Sequence, residues 1–200
     1  MNHRLSTLSI AVAVSVCAAG CSTTASTSVA ASGNPVTGRG ALTPEAMREI
    51  DSGYQTSIDR LFVTTPGSRE LVEKARGVLV FPRVIAAGLV VGGEYGRGML
   101  RVDGAVDSYY KTTSGSVGLQ IGAESRALVF LFMTQDALDR FRASRGWSGG
   151  VDASVAFLKL GANGAIDVNT ARAPTLAFVM TNSGLMANLT LEGTKVTRIE

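Results

Sequence analysis

Between Lys74 and Val102 the chain reads KARGVLVFPRVIAAGLVVGGEYGRGMLRV, and from Tyr109 to Gly122 it reads YYKTTSGSVGLQIG. Gly88, Gly92, Gly96 and Gly98 are all even-numbered, as are Gly118 and Gly122. Alternate residues of a strand share a face, so each such run carries a row of missing side chains. Glycine inside a strand marks a bend, a bulge or a close backbone approach. The stretch predicts a strongly curved sheet with something lying against a smooth face: another sheet, a helix or a lipid chain. The helices expected just before it are the nearest candidates to cover it.

The flanking segments have helix punctuation. Thr43 can cap a helix, Pro44 suits its first position, and Glu45 suits the positive end of its dipole. Met47, Ile50, Tyr54, Ile58 and Leu61 then recur on one helical face, up to about Thr64 before Pro66. That helix can pack on the sheet or lie on a membrane interface. Ser68 can cap a short second helix, Arg69 to Arg76, closed by Gly77. Strands are expected at Val78–Phe81, Val84–Val91, Glu94–Val102, Val106–Thr112, Ser114–Gly122 and Arg126–Met133. Pro82 ends a strand or sits at an edge, Gly92-Gly93 makes a bulge or bend, and Asp103-Gly104 makes a tight turn. Thr134 caps a third helix to Ser144; further strands follow at Ala153–Leu160, Ala165–Asn169, Thr175–Thr181 and Met186–Val196. The fold class is α+β: a mainly antiparallel, strongly curved, Gly-rich sheet or barrel-like core with two N-terminal helices and one mid-chain helix.

Residues 1–20 have the form of a targeting segment. Arg4 gives the positive start, Leu8 to Val16 the apolar stretch, and Ala18-Ala19-Gly20 a small-residue run before Cys21. Small residues directly before a cysteine resemble a bacterial lipobox, with Ala18 where leucine is usual. This implies cleavage before Cys21 and its acylation, and Ser22 after it implies retention in the outer membrane. An ordinary cleaved signal leaving a free Cys21 is the alternative. Residues 21–41 are small and polar and form a flexible tether. Residues 42–200 form the folded domain, within which no stretch is long and apolar enough to span a bilayer as a helix.

The same count limits chemistry. The only histidine is His3, inside the targeting segment, and no cysteine follows Cys21. Neither a His base, a His metal ligand nor a disulfide framework is available to the mature chain. Gly92 to Gly98 lacks the Lys-Ser/Thr tail of a phosphate loop and runs into a strand pattern, so it is no dinucleotide fingerprint either. No enzyme activity, metal or cofactor is expected, and a formal net charge of only +3 does not suggest nucleic acid. Glu94 can pair with Arg97, Arg101 or Lys111, or face a ligand. Trp147 and Phe141 near Arg145 can anchor at an interface or pack into the domain.

Several segments together resemble the SYLF domain family: KARGVLVFPRV, GGEYGRGML, SYYKTTSGSVGLQIG, VFLFMTQDAL, Asp152 to Ala156, and GLMANLTLEG. The resemblance runs from about Ile50 to the C-terminus. It implies binding of phospholipid; of the family's ligands, anionic phospholipid is the class expected in a bacterial envelope, while actin regulation is not. Lys74, Arg76 and Arg83 surround GVLVFP and with Arg69 can form a phosphate patch; Arg97 and Lys111 are the further candidates. The alternative is a solvated surface with scattered basic residues. Two functions follow: a lipid-anchored module that binds anionic phospholipid, or a structural or protein-interaction lipoprotein of the envelope.

Overall fold

The computed structural model describes residues 42–88, 91–117, 122–148, 155–158, 172–181, 184–185 and 193–200. The expected targeting segment and tether, Cys21, Gly118 and the expected strand at 165–169 lie outside the described residues, as does most of the strand expected from Met186. Arg39–Glu200 forms one compact unit.

Two helices lead: α1 (Pro44–Thr64) and α2 (Ser68–Lys74). Thr43 caps α1, its hydroxyl accepting from the Ala46 N–H at 3.2 Å. The expected apolar stripe is buried at Ile50, Tyr54, Ile58 and Leu61. Ser68 does not cap α2. The N-cap is Gly67, with φ 83°, and the buried Ser68 hydroxyl donates to the Leu61 carbonyl, tying α2 to the end of α1. The second helix ends before Arg76, and Gly77 opens the first strand rather than closing the helix.

The strands are β1 (Gly77–Gly88), β2 (Val91–Val102), β3 (Ala105–Val117), β4 (Gly122–Phe132), β5 (Trp147–Ser148), β6 (Val155–Phe157), β7 (Thr175–Thr181), β8 (Gly184–Leu185) and β9 (Lys195–Arg198). Helix α3 (Gln135–Ala143) follows β4 and is capped by Thr134. The strands form one curled, half-barrel sheet in the order β5-β9-β3-β2-β1-β4-β7-β6, with β8 on β7. Among the described residues only β6 and β7 run parallel. The fold is α+β, as expected.

Both faces of the sheet's centre are buried, which is why β4 and β7 read as unbroken apolar runs. Parity sorts their side chains. Leu79, Phe81, Leu100, Leu128, Phe130, Phe132, Ala177 and Val179 join Leu138 and Phe141 of α3 in one core. Val78, Val80, Met99, Val129, Leu131, Leu176, Phe178 and Met180 join the α1 stripe in the other. Trp147 is a core residue, packed edge-on against Phe130 and Phe141, not an interfacial anchor.

Three local expectations change. Pro82 neither ends a strand nor sits at an edge, because β1 is central and runs on to Gly88. Its missing N–H is absorbed by a bulge, which gives β1 one extra residue against both β2 and β4. Gly92 and Gly93 stay in register with Gly88 and Ala87; the irregularity of β2–β3 falls instead at Leu100/Arg101. The expected break at 123–125 is continuous strand. Asp103-Gly104 makes the expected tight turn, with φ 50° and 79°.

At Gly96 and Gly98 the glycine row is covered from within the sheet and not by α1. Gly96 and Gly98 share the α3 face with Leu100. A Cβ on Gly96 would meet the Val84 side chain at 2.7 Å, and one on Gly98 would meet Phe81 at 2.6 Å. The sheet's own core side chains lie across the row.

Candidate functional site

The sheet register assembles a row of cations that sequence spacing does not show. Arg83 of β1 lies directly opposite Arg97 of β2, which lies directly opposite Lys111 of β3. Directly opposed residues of an antiparallel pair point to the same face. Here it is the α1 face, because Met99, two residues from Arg97, belongs to the α1 core. All three side chains are exposed. With neighbouring strands ~4.8 Å apart, the row spans about 10 Å.

Like charges directly opposite one another destabilise a sheet, by a few tenths to about 1 kcal/mol per pair. Among the described residues no carboxylate is ion-paired with any of the three. The ion pairs there are Lys74–Glu70, Arg101–Asp51, Arg126–Glu94, Arg140–Asp136 and Arg142–Asp107. Arg97 instead donates from Nε to the Tyr95 hydroxyl at 2.9 Å. One step along the strands, Ile85 lies opposite Tyr95, and these are 43% and 45% exposed. A row of cations therefore runs beside a row carrying two exposed apolar groups.

The other sequence candidates lie elsewhere. Arg69 stacks over Phe62, with Cζ 4.1 Å from the ring centroid. Lys74 is paired with Glu70 at 2.6 Å on exposed α2, and that hydrogen bond holds the Glu70 carboxyl below its usual range. Arg76 precedes the start of β1, seven residues from Arg83. At ~3.3 Å per residue that separation is about 20 Å. The structure thus brings together Arg83, Arg97 and Lys111, and it does not bring Arg69, Lys74 and Arg76 to them.

Beside the row, a cleft of about 550 Å³ opens between one flank of α1 and strands β1, β2 and β4. Its α1 wall includes Glu49, Ser52, Thr56 and Arg60, and Arg83, Ile85, Tyr95 and Arg97 border it from the sheet. Its deeper lining includes Ile50, Gly53, Pro82, Ala127 and Met180. The opposite flank of α1 is fastened down: Asp51 and Gln55 accept from Arg101, whose guanidinium sits 4.4 Å from the Tyr54 ring centroid. Burial pushes the Tyr54 phenol up to about 12, against the opposing pull of Arg101. Arg60 donates to the Thr181 carbonyl of β7. Sequence reading missed Arg60; only its position on the polar flank of the helix marked it.

Glu94 is ion-paired, as one expectation had it, but not with Arg97, Arg101 or Lys111. Its partner is Arg126, from β4, across β1. Their side chains are 16% and 5% exposed, and Ala86 and Val84, their strand partners in β1, lie on the same α3 face. The small Ala86 leaves room for the pair to close across the strand. Among the described residues no helix is long and apolar enough to cross a membrane, and no group of three or more His, Cys, Asp or Glu side chains suits a metal ion.

No curated protein matches the chain. A family model, described as Ysc84: Las17-binding protein actin regulator, matches residues 113–199. This is the SYLF domain family, and the match runs from within β3 to the end of β9. It begins just after Lys111, so the C-terminal half of the sheet carries the family likeness and the cationic row lies outside it.

Proposed function

We propose that the chain is a non-catalytic bacterial lipoprotein, anchored in the outer membrane through acylated Cys21, whose folded domain binds anionic phospholipid. One observation carries the reading: three exposed cations in one cross-strand row, with no carboxylate paired to them among the described residues, beside exposed Ile85 and Tyr95. Phosphates supply the missing counter-charge, and the apolar pair suits the boundary between headgroup and acyl chain. The likeness to a family associated with lipid binding supports the same reading.

Each basic residue near an anionic membrane contributes ~1 kcal/mol, so the row supplies roughly 3 kcal/mol. That is weak alone. An acyl anchor raises the local lipid concentration and makes it sufficient.

A second reading, a protein-interaction lipoprotein, draws on the matched family's description, which names Las17 binding and actin regulation for its members. Co-sedimentation separates the two. The Arg39–Glu200 unit, which contains both cores, is mixed with phosphatidylglycerol vesicles or phosphatidylcholine vesicles. Sedimentation with the anionic vesicles in low salt, released by high salt, is the expected result. No sedimentation in low salt contradicts the lipid reading, and capture of one protein by cross-linking in cells would then favour the second.

A further inference from the structure

The cleft under α1 is not needed for adsorption to a membrane surface, and its chemistry is graded. Its mouth carries Arg60, Arg83 and Arg97 against one carboxylate, Glu49. Its deeper lining is mostly apolar, around Ile50, Gly53, Pro82, Ala127 and Met180, with buried Ser57 and Arg126 also bordering it. Arg83 and Arg97 belong to both the mouth and the cationic row, so the two features are continuous.

We propose that this cleft holds one molecule of a phosphate-headed, single-chain amphiphile, with its phosphate at Arg83 and Arg97 and the start of its chain under α1. The inference rests on the phospholipid reading above and deepens it from adsorption to the capture of an individual lipid. Size agrees. A cleft of about 550 Å³ lies within the range of small-ligand sites. At the ~30 Å³ that a water-sized group occupies in a liquid, it holds on the order of 18 such groups. That accommodates a glycerol phosphate and part of one chain, not a pair of full-length tails. Charge agrees too: cations outnumber the carboxylate at the mouth, and the depth offers an anion no competing carboxylate. Construction agrees as well, since α1 is fastened on its Asp51–Gln55 flank and by Arg60 to β7, which holds the cleft open.

The test is calorimetric titration of the Arg39–Glu200 unit with myristoyl lysophosphatidic acid below its micelle concentration. Glycerol phosphate, myristoyl lysophosphatidylcholine and sodium myristate are the comparison probes. One saturable site for the lysophosphatidic acid is expected, with at least tenfold weaker binding of each comparison probe. Thr56→Trp, on an exposed position of the α1 wall, is expected to fill the mouth and weaken binding at least tenfold, while vesicle sedimentation is kept. Ser52→Trp serves as the second variant, and melting curves confirm that both are folded. Absence of a saturable site, or unchanged affinity in both folded tryptophan variants, overturns the inference even where vesicles still bind. Equal affinity for myristate transfers the site to fatty carboxylates and overturns the phosphate assignment. Failure of the unit to sediment with anionic vesicles instead strikes the underlying reading.

Discussion

Lys111 faces Arg97 because Asp107 is bulged. From the Asp103-Gly104 turn the ladder starts with Val102 opposite Ala105 and Arg101 opposite Val106, and then jumps to Leu100 opposite Ser108. Asp107 is the extra residue, and its carboxylate is held by Arg142 of α3 and by the Ser108 hydroxyl. Were Asp107 paired in regular register opposite Leu100, Lys111 would oppose Gly96 and point into the α3 core. The Pro82 bulge acts in the same way on Arg83, which an unbulged β1 would also place opposite Gly96. Two one-residue bulges set two cations on one face, because pairing the bulged residues in regular register would shift each strand by one residue and exchange its faces.

Under the proposed function the row opposes stability while serving binding. Replacing Lys111 by threonine removes one like-charge contact from an exposed strand position. We expect unfolding free energy to rise by a few tenths of a kcal/mol, as functional sites commonly trade stability for activity. Anionic-vesicle affinity should fall about fivefold, at ~1 kcal/mol per cation. Urea melts and sedimentation on the same preparations check both signs. A loss of stability would mean that Lys111 has a structural partner.

Helix α1 is seated on the β1 bulge through Gly53. A Cβ there would stand 2.6 Å from the Pro82 Cβ, a ring atom that cannot swing away. Gly→Ala inside a helix ordinarily gains about 1 kcal/mol. Here overpacking, typically 1–3 kcal/mol, opposes it. Gly53→Ala should therefore be neutral to destabilising by about 2 kcal/mol in denaturant melts. A stabilised variant would show that α1 does not rest on Pro82.

The Glu94–Arg126 pair is mostly buried, so its halves are unequal to the whole. Glu94→Gln leaves a buried guanidinium without its carboxylate and should cost about 3 kcal/mol. Glu94→Leu combined with Arg126→Met should recover most of that loss, since an apolar pair of similar volume suits the site. Equal losses in the single and double variants would contradict the account.

Tyr54 makes alkaline stability a reporter of α1 docking. Its folded pKa is raised to about 12 from 10.0, so folding favours the protonated phenol. The stabilisation is complete below pH ~10 and disappears as pH climbs towards ~12; its full size is on the order of 2 kcal/mol. Burial also pushes the Tyr110 phenol up, so ultraviolet titration should show late-ionising tyrosine absorbance, of which the Tyr54→Phe variant loses a part. Relative to Tyr54→Phe, the parent protein should lose stability as pH rises through that window, because only the parent must bury a phenolate or unfold.

Much of the fold is legible in the sequence. The α1 stripe, the Thr43 and Thr134 caps and the Asp103-Gly104 turn stand where their local chemistry puts them. Local chemistry did not reveal how the strands align. Pro82 reads as a stop, because a proline cannot donate to a ladder, yet a bulge absorbs it within a central strand. The glycine row reads as a surface awaiting a cover, because spacing cannot show that Phe81 and Val84 cross it from the neighbouring strand. The site follows the same division. Arg83, Arg97 and Lys111 are legible as candidates, but Lys74 and Arg76 stand closer to Arg83 in the sequence than Arg97 does, and sequence proximity hides an extended strand. Glu94 could be marked as unusual, while its partner Arg126 belongs to a strand on the far side of β1.

The contrast between those two groups gives the most direct measurement. Arg83, Arg97 and Lys111 are changed together to glutamine in one variant of the Arg39–Glu200 unit, and Arg69, Lys74 and Arg76 in another. Both lose three positive charges, so net charge is matched and only position differs. Affinity for phosphatidylglycerol vesicles is measured across a salt series. The row variant should bind on the order of 100-fold more weakly, at ~1 kcal/mol per residue, and lose most of its salt dependence; the other should stay within about threefold of the parent. Equal losses in the two variants would show that diffuse charge, not the row set by the Pro82 and Asp107 bulges, carries the binding.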